Sequence, residues 1–371
     1  MADDQRRVLV LNSGSSSIKF ELVGPDGARV SGLVERIGEP GGVADHAEGM
    51  AQVLSSLDLD GVAVVGHRVV HGGEEFQQPT VVDEAVLARI RELSALAPLH
   101  NPANLLGIEA ARAALPGVPH VAVFDTAFHV TLPAHAYRYA LPDELYRRHG
   151  VRRYGFHGTS HGYVARQAAA VLGRPLESLR MVTLHLGNGA SATAVDGGHS
   201  VDTSMGFGPL EGLVMGTRSG DVDTTIVLHL VRGLGLSLDE VEDLLNRHSG
   251  LRGLCGDNDM RAVVARAAAG DEAARLALDV TTYRLRKYVG AYAAALGGLD
   301  AVVFTAGIGE HSPVVRAMAL EGLGFLGIEL DPARNEANAS VISTDASAVA
   351  VLVIPTDEER EIARQALAAL S

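Results

Sequence analysis

Two stretches of this chain follow the same apolar–polar pattern. Val8-Leu9-Val10-Leu11 runs into Asn12-Ser13-Gly14-Ser15-Ser16-Ser17, and the alternating Ile18-Lys19-Phe20-Glu21-Leu22 follows. Val182-Thr183-Leu184-His185-Leu186 runs into Gly187-Asn188-Gly189, and Ala190-Ser191-Ala192-Thr193-Ala194-Val195 follows. Each reads as strand, tight turn, strand. Turns of Gly, Asn and Ser let backbone N–H groups point into one concavity, which suits phosphate oxygens. One such turn is an ordinary hairpin. Two, one near the start and one mid-chain, predict a duplicated domain with a cleft between the halves and a polyphosphate held from both sides.

The pattern predicts further strands over 62–70, His120–Phe124 (ending in Asp125), Ala301–Phe304 and Val349–Ile354. Helices are predicted over 83–96, stopped by Pro98, and over about 103–114. The alanine-rich stretches Ala262–Ala277 and Ala363–Leu370 also read as helices. Residues 24–61 carry few order signals, residues 130–150 read as a connection between domains, and 197–220 reads as a long loop. Strand and helix signals alternate, so the fold class is α/β. In open α/β sheets the ligand sits at the carboxyl ends of the strands. That rule gathers Asn12, Arg68, Asp125, Gly187, Gly307 and Glu358 around one cleft.

Composition narrows the function. A chain of 371 residues exceeds what one core normally holds, so two domains are expected. The formal charge of −14 argues against bulk nucleic-acid binding. Anions then bind only where Arg, Lys and glycine turns reverse the field locally. Cys255 is the single cysteine, which excludes an internal disulfide and a cysteine metal cluster. No apolar run reaches the ~18 residues of a membrane span, and the first residues lack a signal-peptide core. A soluble, cytoplasmic protein is expected, with neither nucleic acid nor membrane as partner.

Each candidate side chain has a plain reading beside a chemical one. Asn12 to Ser17 carries more hydroxyl and amide groups, with Lys19, than a turn needs, which favours phosphate or metal contact. Arg68 stands among valines, either as an ion-pair partner or as the fork of a small-carboxylate pocket. Asp125 is a helix cap or a reacting carboxylate. His157 and His161 are four apart, but Gly158 and the missing Glu argue against a zincin pair. His157 is read as a donor to a charged intermediate, and His161 as structural, at the start of a helix. Arg218, in a glycine loop, either forms a surface salt bridge or meets developing negative charge. No P-loop and no protein-kinase motif set is present.

Ten motifs, in order from residue 8 onward, together resemble the acetate kinase family. They are Asn12-Ser-Gly-Ser-Ser-Ser-Ile-Lys19, Gly66-His-Arg-Val-Val-His-Gly-Gly73, Leu96-Ala-Pro-Leu-His-Asn-Pro102, Val123-Phe-Asp-Thr-Ala-Phe-His129, Tyr154-Gly-Phe-His-Gly-Thr-Ser-His161, His185-Leu-Gly-Asn-Gly189, Ser204-Met-Gly-Phe-Gly-Pro-Leu-Glu-Gly212, Met215-Gly-Thr-Arg218, Phe304-Thr-Ala-Gly-Ile-Gly-Glu310 and Ile354-Pro-Thr-Asp-Glu-Glu359. The resemblance implies two actin-like ATPase (ribonuclease H-like) domains with the nucleotide cleft between them. The expected division is 1–129 with 360–371, against 130–359. It also implies reversible transfer of the γ-phosphoryl of ATP to acetate, giving acetyl phosphate and ADP. Mg²⁺ is the implied metal, with Mn²⁺ an alternative, and a homodimer the implied assembly.

By motif position, the resemblance assigns Asn12 and Glu358 to the metal. Lys19, Ser15 and Ser17 face the phosphates. Arg68 takes the acetate carboxylate, and Val70, Leu99, Phe156 and Pro209 line the methyl pocket. Asp125 is the catalytic carboxylate, and His157 and Arg218 stabilise the transition state. His185, Leu186, Gly187, Asn188, Gly189, Asp259, Met260, Arg261, Gly307, Ile308, Gly309, Glu310 and His311 bind the nucleotide. The chain departs from the family in a shorter 24–61 segment, in Met260 where an aromatic is usual, and in His311 where Asn is common. A propionate or butyrate kinase is the nearest rival. A non-kinase actin-like or chaperone-like ATPase is disfavoured, because such proteins carry an Asp where Asn12 stands.

Overall fold

A computed structural model describes residues 6–14, 16–24, 27–98 and 100–371. Ser15 and Leu99 lie outside the described residues. The chain divides into two compact units, one of Met1–Val130 with Asp357–Ser371, the other of Thr131–Thr356.

Unit 1 is built on strands β1 (Arg7–Ser13), β2 (Ser17–Val23), β3 (Arg29–Glu35), β4 (Val62–Val69), β5 (Thr80–Val81) and β6 (His120–Phe124), in the sheet order β3-β2-β1-β4-β6-β5. β1, β2 and β3 are antiparallel neighbours, β4 runs parallel to both β1 and β6, and β5 is an antiparallel edge. Side chains alternate between faces along a strand. Leu9 and Leu11 therefore pack with Ile18, Phe20, Met50 and Val53 on one face. Val8 and Val10 meet Ile362, Ala363 and Ala366 of helix Glu358–Ala368 on the other. Gly66 is required there, since a Cβ on it lies 2.9 Å from Ile362 Cγ2. With both faces covered, β1 reads as a continuous apolar run.

Unit 2 repeats the plan. Strands β7 (Arg180–Leu186), β8 (Ala190–Asp196), β9 (His199–Thr203), β10 (Ala301–Thr305) and β11 (Ala350–Val353) form a sheet of order β11-β10-β7-β8-β9. β7, β8 and β9 are antiparallel neighbours, and β10 is parallel to β7 and β11. Strand for strand, this is the order and sense of β6-β4-β1-β2-β3. The two hairpins are counterparts: Gly14 N–H donates to Ser17 O at 2.7 Å, and Gly187 N–H to Gly189 O at 3.0 Å. Each unit carries the mixed sheet of the actin-like ATPase fold.

Three expectations need correction. Residues 24–61 hold β3 and helix His46–Ser55, capped by the Asp45 carboxylate accepting from Glu48 N–H. β3 is an edge strand with few buried positions, so its apolar pattern is weak. The supposed loop 197–220 contains β9. Ala262–Ala277 is two helices, Met260–Ala268 and Glu272–Ala295, broken where Gly270 takes φ +93° and Asp271 caps the second. Alanine content favours helix on both sides of that break and hides it. Among the described residues, no helix is long and apolar enough to cross a membrane.

Candidate active site

The candidate residues of unit 1 stand at the carboxyl ends of its parallel strands. Asn12 is the penultimate residue of β1 and pairs across the hairpin with Lys19. Lys19 Nζ donates to the Glu359 carboxylate. Arg68 is the penultimate residue of β4, and Asp125 directly follows β6. Because β4 and β6 are parallel neighbours, the two side chains meet. Arg68 Nε donates to Asp125 Oδ1 at 3.0 Å and Nη2 donates to Oδ2 at 2.7 Å. Glu358 Oε2 lies 3.8 Å from the same Nη2. Burial alone lowers the pKa of the Arg68 guanidinium, but the charges of Asp125, Glu358 and Glu359 hold it above the ordinary arginine value. The ion-pair reading of Arg68 is thus realised, and the pair orients the guanidinium.

Two buried asparagines brace this region, and sequence reasoning gave them no role. Asn104 Nδ2 donates to Ser13 O at 2.7 Å, and its Oδ1 accepts from Val70 N–H at 3.0 Å. The turn after β1 is thereby tied to the loop after β4. Asn101 accepts from His71 N–H at 3.1 Å and donates to His71 O at 3.0 Å. Their signal was an amide on the inward face of helix Asn101–Ala114, where apolar residues are the rule.

Among the described residues, no group of three or more His, Cys, Asp or Glu side chains is arranged to hold a metal ion. The two residues that the resemblance assigns to the metal, Asn12 and Glu358, carry hard oxygens, as does Asp125 beside Arg68. That set fits a cation taking one or two protein oxygens and filling its shell with water and phosphate, as Mg²⁺ does.

In unit 2, His157 sits at the N-cap of helix Gly158–Leu172 with φ 56°, a left-handed conformation that costs a non-glycine residue about 1–3 kcal/mol. Its segment is anchored by Arg153, whose Nη1 donates to Thr203 O at 2.9 Å, Ser204 O at 3.2 Å and Met205 O at 3.1 Å. His161 lies one turn into the helix, not at its start. Both rings reach Ser191 of β8: His157 Nδ1 is 2.9 Å and His161 Nε2 is 2.7 Å from its Oγ. His185 stacks on His157, with ring centroids 4.2 Å apart at 20°. His185 Nδ1 is 2.8 Å from Ser160 Oγ, which is 2.8 Å from Thr356 Oγ1. Thr356 N–H in turn donates to Glu310 Oε1 at 3.1 Å.

Arg218 Nη1 donates to Pro209 O at 3.0 Å, and burial lowers its pKa. A Cβ built on Gly189 lies 3.6 Å from Arg218 Nη1 and 3.6 Å from His157 Nε2. The second turn, His157 and Arg218 therefore surround one small volume. The Arg218 loop is held by helix Gly250–Cys255: Leu251 N–H donates to Met215 O and Arg252 N–H to Gly216 O, both at 2.9 Å.

Leu186, Gly187, Gly216, Leu251, Met260 and Ile308 line an apolar cavity of about 20 Å³. It brings together three separate stretches assigned to the nucleotide, with Met260 buried among them. Arg261 instead folds back onto Asp259 at 2.7 Å, and that hydrogen bond draws the Asp259 carboxyl down to about 2. His311 is exposed, 4.0 Å from Glu310. The Gly307–Gly309 turn follows β10 and has a support that the sequence reading overlooked. Fully buried Arg316 donates to Gly309 O at 2.8 Å, Glu310 O at 2.9 Å, Asn335 Oδ1 at 2.8 Å, Asn335 O at 2.7 Å and Asn338 Oδ1 at 2.6 Å. All of its N–H groups are matched by neutral acceptors, and burial lowers its pKa to about 10. An arginine between apolar neighbours, Val314-Val315-Arg316-Ala317, was the available hint.

The assigned acetate-pocket residues divide between the units: Arg68 and Val70 belong to unit 1, Phe156 and Pro209 to unit 2. Comparison with known proteins agrees with the motifs. The model of the Acetokinase family matches residues 40–364. The chain is 59% identical to the acetate kinase of Clavibacter michiganensis subsp. michiganensis, over 98% of each chain. Its fold superposes on the crystal structure of Porphyromonas gingivalis acetate kinase with a TM-score of 0.94 and 42% identity, covering 99% of this chain and all of that one. A propionate kinase from Francisella tularensis subsp. tularensis SCHU S4 gives 0.94 and 40%, covering 98% and 99%. With the family model spanning most of its length and near full-length relatives above half identity, the chain belongs to the acetokinase family.

Proposed function

We propose that this protein transfers the γ-phosphoryl group of ATP to acetate, reversibly, giving acetyl phosphate and ADP. The single observation that carries the reading is Arg68, a guanidinium oriented by Asp125 beside an apolar strand. A fork next to an apolar surface is what a short-chain carboxylate needs, and a pure ATPase has no use for it. The relatives are named acetate kinases, in accord with this reading.

Acetate is already anionic and needs no deprotonation to attack. The barrier lies in bringing two anions together, so positioning and charge neutralisation carry the catalysis. A carboxylate oxygen forms the new O–P bond in line as the bond from phosphorus to the β–γ bridging oxygen breaks. ADP leaves with that electron pair. Arg68 holds the acetate carboxylate, with Val70, Leu99, Phe156 and Pro209 against the methyl group. Asp125 orients Arg68 and is not a covalent carrier. His157 and Arg218 donate to the transferring oxygens. Lys19, Ser15 and Ser17 meet the phosphates. His185–Gly189, Asp259–Arg261 and Gly307–His311 hold the nucleotide. Asn12 and Glu358 would hold Mg²⁺, which when bound neutralises phosphate charge. Mn²⁺ has the same oxygen preference.

A homodimer and a cytoplasmic location belong to the same reading. Exposed Ile226, Leu228, Leu234 and Leu238 of unit 2 support the first. The lone Cys255 accords with a reducing compartment.

The test is capture of acyl phosphate as the hydroxamate, with ATP and Mg²⁺, from acetate, propionate and butyrate in turn. One methylene is worth about 1–3 kcal/mol of discrimination in an apolar pocket. Acetate is expected to give the highest kcat/KM. A higher value for propionate assigns the protein to the rival acyl class. ATP hydrolysis at equal rates with and without acetate overturns the kinase reading.

A further inference from the structure

Ser191 Oγ stands between two imidazoles, 2.9 Å from His157 Nδ1 and 2.7 Å from His161 Nε2. A serine hydroxyl carries one hydrogen. It therefore donates to one ring and accepts from the other, so the tautomer of one neutral histidine sets the tautomer of the other. The far end of the chain decides which way the hydrogens run. His161 Nδ1 is 2.7 Å from Thr183 Oγ1, whereas the other acceptor in line with that hydroxyl, Thr193 O, is 3.5 Å away, at the outer limit of a hydrogen bond. The Thr183 hydrogen thus goes to His161 Nδ1. A neutral His161 then carries its hydrogen on Nε2 and donates to Ser191 Oγ. Ser191 donates to His157 Nδ1.

We propose that Thr183, His161 and Ser191 form a one-way hydrogen-bond relay that holds His157 neutral with its hydrogen on Nε2. That nitrogen is the edge turned toward Gly189 and Arg218. Thr183, His161 and Ser191 are fully buried, so water does not compete for these bonds. Stacking on His185 fixes the plane of the ring, and the left-handed backbone of His157 fixes where it starts. His157 becomes a donor without needing a charge of its own, beside an arginine that already supplies one. His161, Ser191 and Thr183 are positioning residues: they act through His157 and touch no substrate.

The functional consequence rests on the kinase reading above, but the relay does not. It is tested first without substrate, by ¹⁵N chemical shifts of the histidine rings in the full-length protein at pH 8. The expected result is a neutral His157 protonated on Nε2. Ser191→Ala and His161→Leu are expected to shift the ring toward the Nδ1–H form. His161→Gln, whose amide can accept from Thr183 and donate to Ser191, is expected to preserve it. A wild-type His157 protonated on Nδ1, or on both nitrogens, overturns the relay, and so does a tautomer unmoved in Ser191→Ala. In kinetics, Ser191→Ala and His161→Leu should lower kcat about 10- to 100-fold, the scale for outer partners that orient a histidine, with His161→Gln largely restored. A shifted tautomer with unchanged kcat removes His157 from the reaction and overturns that part of the kinase reading, while the relay stands.

Discussion

Arg68 Nη2 and Asp125 Oδ2 lie 2.7 Å apart at the ends of adjacent parallel strands, with Asp125 only 1% exposed. Removing the guanidinium strands a buried carboxylate, which costs about 3–5 kcal/mol. Arg68→Ala should therefore lower stability in urea and raise the KM for acetate, leaving the KM for ATP near its original value. Asp125→Asn keeps an acceptor for Arg68 and should fold, with a kcat loss that exceeds its stability loss. Unchanged stability in Arg68→Ala would show that the pair is not holding Asp125.

Arg218 is a half-buried cation whose nearest hydrogen-bond acceptor is the neutral carbonyl of Pro209 at 3.0 Å. A positive group that engages no carboxylate among the described residues is suited to charge that arises during reaction. Arg218→Ala is expected to lower kcat by ~10³-fold or more, the scale of other arginines in phosphoryl transfer. A loss confined to the acetate KM assigns it to binding instead.

Gly216 touches the second hairpin turn. A Cβ on it falls 1.9 Å from Asn188 Oδ1, too close for any side chain. Gly216→Ala must displace Asn188 or the Arg218 loop. The expected outcome is a rise of about tenfold or more in the KM for ATP, the cost of roughly one misplaced hydrogen-bonding group. Steady-state kinetics at saturating acetate measures it, and an unaltered ATP KM removes Asn188 from the nucleotide site.

His71 is fully buried, its Nδ1 accepting from Gly73 N–H at 3.0 Å, and burial pulls its pKa down to about 4. The unfolded chain restores a value of about 6.5, so the unfolded state binds the proton first. Stability from this group is complete above pH 6.5 and declines as pH falls toward 4. The loss by pH 5 is about 2 kcal/mol by linkage. Urea midpoints at pH 7.5 and pH 5 should differ less in His71→Asn than in the parent. His67, pushed the same way by burial and by His120, adds a loss in the same direction.

Much of the fold was legible because each hairpin enters on a largely apolar strand and turns through a few Gly, Asn and Ser residues into a second strand. The likeness of the two gave the duplication. β3 was not legible, since an edge strand buries little and Val30 and Leu33 face solvent. The break at Gly270-Asp271 was masked by helix-favouring alanine around it. At the site, the strand-end rule brought out Arg68 and Asp125 because their strands are parallel neighbours. Asn104, Ser191 and Arg316 were missed for one reason: each acts on backbone or rings distant in sequence, and nothing local marks a polar side chain as a brace. Single buried polar residues inside apolar stretches are the signal to look for.

Helix Glu358–Ala368 lends Ile362, Ala363 and Ala366 to the sheet that begins with β1, whereas unit 2 is one unbroken span between. During synthesis, Val8, Val10, Val64, Val121 and Val123 leave the ribosome early and wait, uncovered on that face, until the last helix emerges. The half that is made first is thus completed last, after its younger duplicate already has every strand it needs.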